Sequence, residues 1–531
     1  MKILKLSCLS MALACTAMVS AQGTTFQAKK GKLTEEQLKR WSHLDLGKDS
    51  IPGMCVDRVY AELLKGKVGK NVIVGVVDSG VDIDHEDLKS VVWTNPKEIA
   101  GNGVDDDKNG YIDDVHGWNF LGNSDNENLE MTRMMKKPDD GSLAYKEAKV
   151  EFEKKIDEYK KGKQQVDFLL DADKTLQQFL KKENYTLEDV KAIVSDDPAV
   201  NRSKMVMSQV IPQAGPNFRE EIGEYKEQVY DMLNYNLNVD FDGRKALGDD
   251  PENFAVKNYG NNIVYGPDKK GALHGTHVAG IIAQQRGNGK GGDGIASNVK
   301  ILTVRAVPNG DEYDKDIALG IRYAVDNGAK VINGSFGKSY SPHKQWVYDA
   351  IKYAESKDVL IVHAAGNDSK DIDVENNFPN DSDDKKTEFA NNVITVGALN
   401  YEYGENIVAD FSNYGKLNVD VFSPGVKIYA TTPNNEYKYE QGTSMASPNV
   451  AGVAALIRSY FPKLTAKQVK YIIMNSGTSI PGDVVVGGDP KDKRKFESLS
   501  KSGKIVNAYN AFVMAEKMSK TPAKKGKKVR G

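Results

Sequence analysis

A chain of 531 residues, 40% hydrophobic and 27% charged, is long enough to bury one large core and to carry insertions on it. Its 72 Lys and Arg against 74 Asp and Glu leave a formal charge of −2, which excludes a global electrostatic footprint for nucleic acid. Past the first 22 residues no apolar run is long enough to cross a bilayer, so an integral membrane segment is not expected either.

The chain begins with Lys2 and Lys5, an apolar run over 6–19 and small residues at Val19-Ser20-Ala21, the pattern of a secretory signal over 1–21 cut after Ala21. A lipid-anchored exit at Cys15 is disfavoured, since Ala12-Leu13-Ala14-Cys15 is a poor lipobox. The expected address is secreted or periplasmic. Cys8 and Cys15 leave with the signal, so Cys55 stands alone and reads as a buried structural thiol. Residues 22–55 are polar and Lys-rich up to the turn at Asp49-Ser50-Ile51-Pro52-Gly53. They read as an N-terminal arm on the surface, with a short helix over 34–41.

From residue 56 the pattern changes. The near-continuous apolar run 71–77 is that of a strand covered on both faces. Similar runs follow at 300–304, 330–333, 359–363 and 393–397, with helical patterns between them at 316–327 and 344–356. Strand and helix alternating in this way predict an α/β fold, a doubly wound, mostly parallel sheet with helices on both faces. The domain is expected over 56–122 and 271–515. Between these parts, 123–270 is charged and helical at 144–161, 164–182, 187–194 and 218–234, with a thin apolar stripe including Phe152, Ile156 and Val166. It reads as a helical insertion, either a lid or a solvated decoration. Residues 516–531 read as a basic disordered tail.

Three segments carry chemistry. Asp78 ends the first buried strand, where open α/β sheets place their sites. His274 opens His274-Gly275-Thr276-His277, a Gly-rich turn running into an apolar helix. Ser444 lies in Gly442-Thr443-Ser444-Met445-Ala446-Ser447-Pro448 ahead of an Ala-rich helix, among free backbone N–H groups that favour a developing oxyanion. An ordinary N-cap is the other use of such a serine. The chain order is Asp, His, Ser.

These three blocks resemble the signature segments of the subtilisin-like serine proteases, the subtilases, over 56–477 without the insertion. The resemblance implies Asp78, His274 and Ser444 as the triad, with His277 structural. It implies Asn367, after Ala364-Ala365-Gly366, as the side-chain oxyanion donor beside Ser444 N–H. Ser335-Phe336-Gly337 would pair with peptide backbone and form one wall of the primary pocket, with Ala364, Ala365 and Gly366 the other. Asn377 falls near the pocket base, and Asp381, Asp383 and Asp384 nearby would favour polar or basic side chains. Gly334 stands where the family more often has methionine.

Asp105-Asp106-Asp107-Lys108-Asn109-Gly110-Tyr111-Ile112-Asp113 has oxygen donors at alternating positions and a glycine for the sharp turn, as in the first half of an EF-hand loop. Asp105, Asp107, Asn109, Tyr111 and Asp113 are the candidate ligands of a structural calcium; a solvated acidic turn is the alternative. The resemblance also suggests Asp87 as ligand of a second calcium, with the loop 286–292. The expected function is a secreted or periplasmic serine endopeptidase acting on protein or peptide substrates. A catalytically silent protein of the same fold and an exopeptidase gated by the insertion are the alternatives. Side-chain preference and oligomeric state are not written in the sequence.

Overall fold

A computed structural model describes residues 26–520. The expected signal at 1–21 and the end of the tail lie outside the described residues. The strands are β1 (Val72–Asp78), β2 (Gly117–Asn119), β3 (Val299–Arg305), β4 (Val331–Gly334), β5 (Leu360–Ala364), β6 (Val393–Leu399), β7 (Val421–Pro424), β8 (Ile428–Thr432), β9 (Glu436–Glu440), β10 (Thr478–Ser479), β11 (Asp483–Val486), β12 (Asp489–Lys495) and β13 (Lys504–Ile505). Nine of them form one sheet in the order β10-β13-β7-β6-β5-β4-β1-β3-β2, parallel except for the β10/β13 pair. The strands β8 and β9, and likewise β11 and β12, form separate hairpins.

Helices used below are α1 (Glu130–Met135), α2 (Leu143–Leu180), α3 (Pro198–Ala214), α4 (Phe218–Asp231), α5 (Leu273–Ala283), α6 (Asp314–Asp326), α7 (Lys344–Ser356), α8 (Thr443–Tyr460), α9 (Ala466–Ser476) and α10 (Ala508–Ser519). The pleat divides the apolar runs between two cores. Val74 and Val76 of β1 face the side covered by α5 and α8, whereas Val77 faces α6 and α7. Burial on both faces is what a continuous Val/Ile run requires, and the expected doubly wound architecture is the one found. The chain crosses from β3 over β1 to β4, so β1 marks the switch point, and Asp78 is its last residue.

The arm differs from its reading as a surface segment. Trp41, Ile51 and Met54 are at most 1% exposed and belong to the main core. Trp41 Nε1 donates to Val426 O at 3.0 Å, and Met54 O accepts from Ala508 N at 2.7 Å. Three apolar residues spaced irregularly along a polar stretch carry no periodic signal, so only the groove that receives them reveals their burial. Cys55 is buried as expected, and burial pushes its thiol up to about 12.

The insertion is narrower than 123–270. Its helical part spans α1 to α4, with its own apolar cluster around Val166, Leu176, Met207 and Ile222. Residues 236–272 return to the body, where Tyr259 joins the second core and Val264 is buried. The two helices expected at 144–161 and 164–182 are one 38-residue helix, α2, roughly 57 Å long at 1.5 Å per residue. Gly162 does not break it, because its bare face receives the Tyr225 ring of α4; a Cβ there would lie 3.0 Å from Tyr225 OH. Helix α3 is absent from the sequence reading. Helix α10 runs to Ser519, so residues 516–519, expected in the disordered tail, are helical.

Candidate active site

Asp78 is 1% exposed at the end of β1. Its Oδ1 accepts from His274 Nδ1 at 2.7 Å and from Ser79 N at 2.7 Å. The approach depends on Gly275: a Cβ there would stand 2.1 Å from Gly80 O and 3.2 Å from Asp78 Cβ. Without a side chain, the start of α5 can lie against the loop after β1 and bring His274 to the carboxylate. Burial alone would strip the imidazole of charge, but the Asp78 carboxylate outweighs it and holds the His274 pKa above its ordinary value. Glu440 of β9 adds to the same pull. His277, one turn into α5, is buried against Lys438 O and pushed down to about 4 by that burial.

Ser444 is the second residue of α8, after Gly442 at φ 151°, a conformation few L residues adopt. Pro448 has no N–H for the i−4 carbonyl, which leaves Ser444 O free of the helix ladder. Ser335 Oγ takes that place, donating to Ser444 O at 2.8 Å. Asn333 and Ser447 hold the Ser335 hydroxyl from behind at 2.9 and 3.1 Å. The helix is thus pinned to the segment after β4. Among the described residues Ser444 Oγ donates to Ser335 O at 3.2 Å rather than to His274.

Asn367 follows β5. Its Oδ1 accepts from Thr443 N at 2.8 Å and from Thr443 Oγ1 at 2.9 Å, which leaves its Nδ2 for the space beside Ser444. Thr443 Oγ1 in turn accepts from Gly366 N at 3.0 Å. The part of Thr443 in orienting Asn367 becomes visible only through this tertiary contact.

Two cavities meet at Phe336 and Gly337. One, about 550 Å3, holds His274, Leu273 and Gly310; the other, about 340 Å3, holds Ser444, Asn367, Ala364 and Gly366. Neither the N–H nor the C=O of Gly337 and of Gly310 has a partner among the described residues, so both edges are open to an added strand. Asn377 lies between the walls: a Cβ on Gly337 or Gly366 would meet its Oδ1 at 3.2 or 3.4 Å. Ala365 does not line the cavity. It is fully buried in the main core, because alternate residues of an extended segment point to opposite sides. The acidic residues expected near the base are elsewhere as well. Asp381 is buried with Lys470, Asp383 pairs with Lys344, and Asp384 closes its own turn through Lys386 N and Thr387 N.

In the acidic loop, Asp105 and Asp107 converge with Glu98, their oxygens within 4.8 Å of one another. Glu98 Oε2 is buried without a hydrogen-bond partner. Three carboxylates with an orphaned oxygen fit a hard divalent cation. Asp113 is turned away, its carboxylate taking the N–H groups of Gly101, Asn102 and Gly103 at 2.8–3.2 Å. Asn109 Oδ1 accepts from Tyr111 N at 2.8 Å, and the Tyr111 ring packs on Trp118 and Tyr323. Glu98 lies seven residues before Asp105, outside any loop template, so the sequence could not nominate it. At the other expected site, Asp87 bonds Asn288 of the 286–292 loop, and its Oδ2 is buried without a partner.

The chain matches the model of the subtilase family over residues 69–497. It belongs to that family. This subtilase is 46% identical to the thermophilic serine proteinase of Bacillus sp. (strain AK1) over 35% of its own length and 42% of the relative's. Identity is 32% to subtilisin DY of Bacillus licheniformis, over 51% of this chain and 93% of that one. It is 36% to thermitase of Thermoactinomyces vulgaris, over 40% and 70%. The chain spans about two fifths of the thermophilic proteinase and a quarter of the cell wall-associated protease of Bacillus subtilis (strain 168), to which it is 39% identical.

Proposed function

We propose that this subtilase is a serine endopeptidase that cleaves peptide bonds in protein substrates through an acyl-enzyme. The observation that carries the reading is the 2.7 Å hydrogen bond from the half-exposed His274 ring to the buried Asp78 carboxylate, with Ser444 and an Asn367 oriented by Thr443 across the same cleft. Asp78 fixes the proton on His274 Nδ1 and leaves Nε2 as acceptor. Rotation about χ1 of Ser444 would exchange the bond to Ser335 O for one to that nitrogen. Oγ then attacks the substrate carbonyl carbon as its proton passes to Nε2. The oxyanion is met by Ser444 N–H and Asn367 Nδ2. The C–N bond breaks, the imidazolium gives its proton to the leaving amine, and water releases the acyl group by the same steps. The open edges of Gly337 and Gly310 support binding of an extended peptide as an added strand.

We read the protein as exported, on the N-terminal segment, and as stabilised by calcium at Glu98, Asp105 and Asp107. The ion would neutralise carboxylates that otherwise repel. A fluorophosphonate probe tests the catalytic reading. Wild type should be labelled and should digest casein, and Ser444→Ala should do neither; labelling that survives the substitution would refute it.

A further inference from the structure

We propose that Lys155, carried by the inserted helix α2, is a specificity-determining residue that pairs with a carboxylate side chain on the substrate residue preceding the scissile bond. The inference rests on the endopeptidase reading and deepens it by naming a substrate class. The cavity beside Ser444 is not closed by the α/β body alone. Its rim includes Glu151 and Lys155, one helical turn apart on α2, so the insertion lines the cleft.

The charges around this cavity are committed, with two exceptions, Asp368 and Lys155. Lys338, buried, is saturated by Glu130 at 2.8 Å, Asp314 at 3.0 Å and Glu312 O at 2.8 Å. Asp311 accepts from Glu130 N at 2.7 Å and is flanked by Arg133 and Lys338. Glu151 accepts from Tyr340 OH at 3.0 Å. Asp368 is exposed at the outer rim. Lys155 is half-buried and has no partner among the described residues. An ammonium drawn partly out of water without a counter-ion favours an incoming anion. The Asn377 carboxamide at the base can donate a second hydrogen bond to the same carboxylate.

The position of Lys155 is held rather than loose. The bond from Tyr340 to Glu151 ties α2 to the segment after β4. At the root of the insertion, Glu130 of α1 joins Arg133 at 2.6 Å and Lys338 in a buried ion network. A cation presented from an anchored helix loses less entropy on binding than one carried on a mobile segment, which favours discrimination.

The test is digestion of a peptide library, with every residue type at each position, by wild type, Lys155→Met and Lys155→Glu. Fluorophosphonate labelling of each protein gauges Ser444 independently. Wild type should favour Asp or Glu over Lys or Arg before the cut by about 10- to 100-fold in kcat/KM, the range for one charge-assisted hydrogen bond. Lys155→Met should erase this preference with labelling unchanged, and Lys155→Glu should reverse it. Labelled wild type without an acidic preference would overturn the inference. So would a preference unmoved in Lys155→Glu, a shift at another substrate position, or a uniform loss of cleavage in Lys155→Met. Failure of wild type to label at all would bring down the endopeptidase reading itself.

Discussion

Thr443→Val probes how the oxyanion donor is held. The hydroxyl makes one of the two hydrogen bonds that turn Asn367, at 2.9 Å, and accepts a third from Gly366 N at 3.0 Å. Valine keeps the shape and the backbone N–H bond at 2.8 Å but loses both hydroxyl contacts. A neutral hydrogen bond of this kind is worth about 0.5–1.5 kcal/mol, and the unpaired Gly366 N–H costs about 1–3 kcal/mol of stability. With 1.36 kcal/mol per tenfold, kcat should fall roughly 2- to 12-fold. Asn367→Ala should cost about 100- to 1000-fold, a range itself established on a subtilisin. Because Thr443 acts through Asn367, adding Thr443→Val to Asn367→Ala should change kcat no further. The assay is steady-state hydrolysis of a chromogenic peptide, well below the melting temperature of every variant. Losses that multiply in the double variant, or that fall on KM alone, would refute the coupling.

Four further outcomes are expected. The Asp78 carboxylate holds the His274 pKa above the ordinary histidine range and catalysis needs the neutral ring, so kcat/KM should rise with pH through a midpoint above that of a free imidazole. Glu440→Gln removes a charge that supports the imidazolium and should move this limb to lower pH, as a pH–rate profile will read. Trp41→Ala should destabilise by about 3–5 kcal/mol in urea unfolding, as for a buried core aromatic; unchanged stability would show the arm to be dispensable. Calcium should raise the melting temperature of wild type, by about 2.7 kcal/mol of stability at 100 times Kd, and raise that of Glu98→Gln distinctly less. Equal shifts would remove Glu98 from the ligand set.

Five strands, β1 and β3 to β6, were legible because burial on both faces of a parallel sheet leaves uninterrupted runs such as 71–77. The residues on which the functional reading centres were legible for a related reason. Asp78, His274 and Ser444 each stand at a strand end or helix start, where the backbone pattern marks the place. Glu98 and Lys155 occupy no such junction, and although Thr443 begins α8 and Glu440 ends β9, no local pattern marks what these two side chains contact. Their surroundings come from groups remote in the chain, such as the cavity shared with Ser444 for Lys155 and the His274 ring for Glu440.

By itself, then, the amino-acid order determined the class of fold and five adjoining strands of its sheet, and it nominated Asp78, His274 and Ser444. These follow from local periodicity and from turns that only certain residues permit. Tertiary structure alone decided that the polar arm plugs the core with Trp41, that Asp113 faces away from the acidic cluster, and that Glu151 and Lys155 of α2 line the cavity beside Ser444. In each of these a side chain meets a partner that no local pattern encodes, and its energy depends on the solvent that partner excludes.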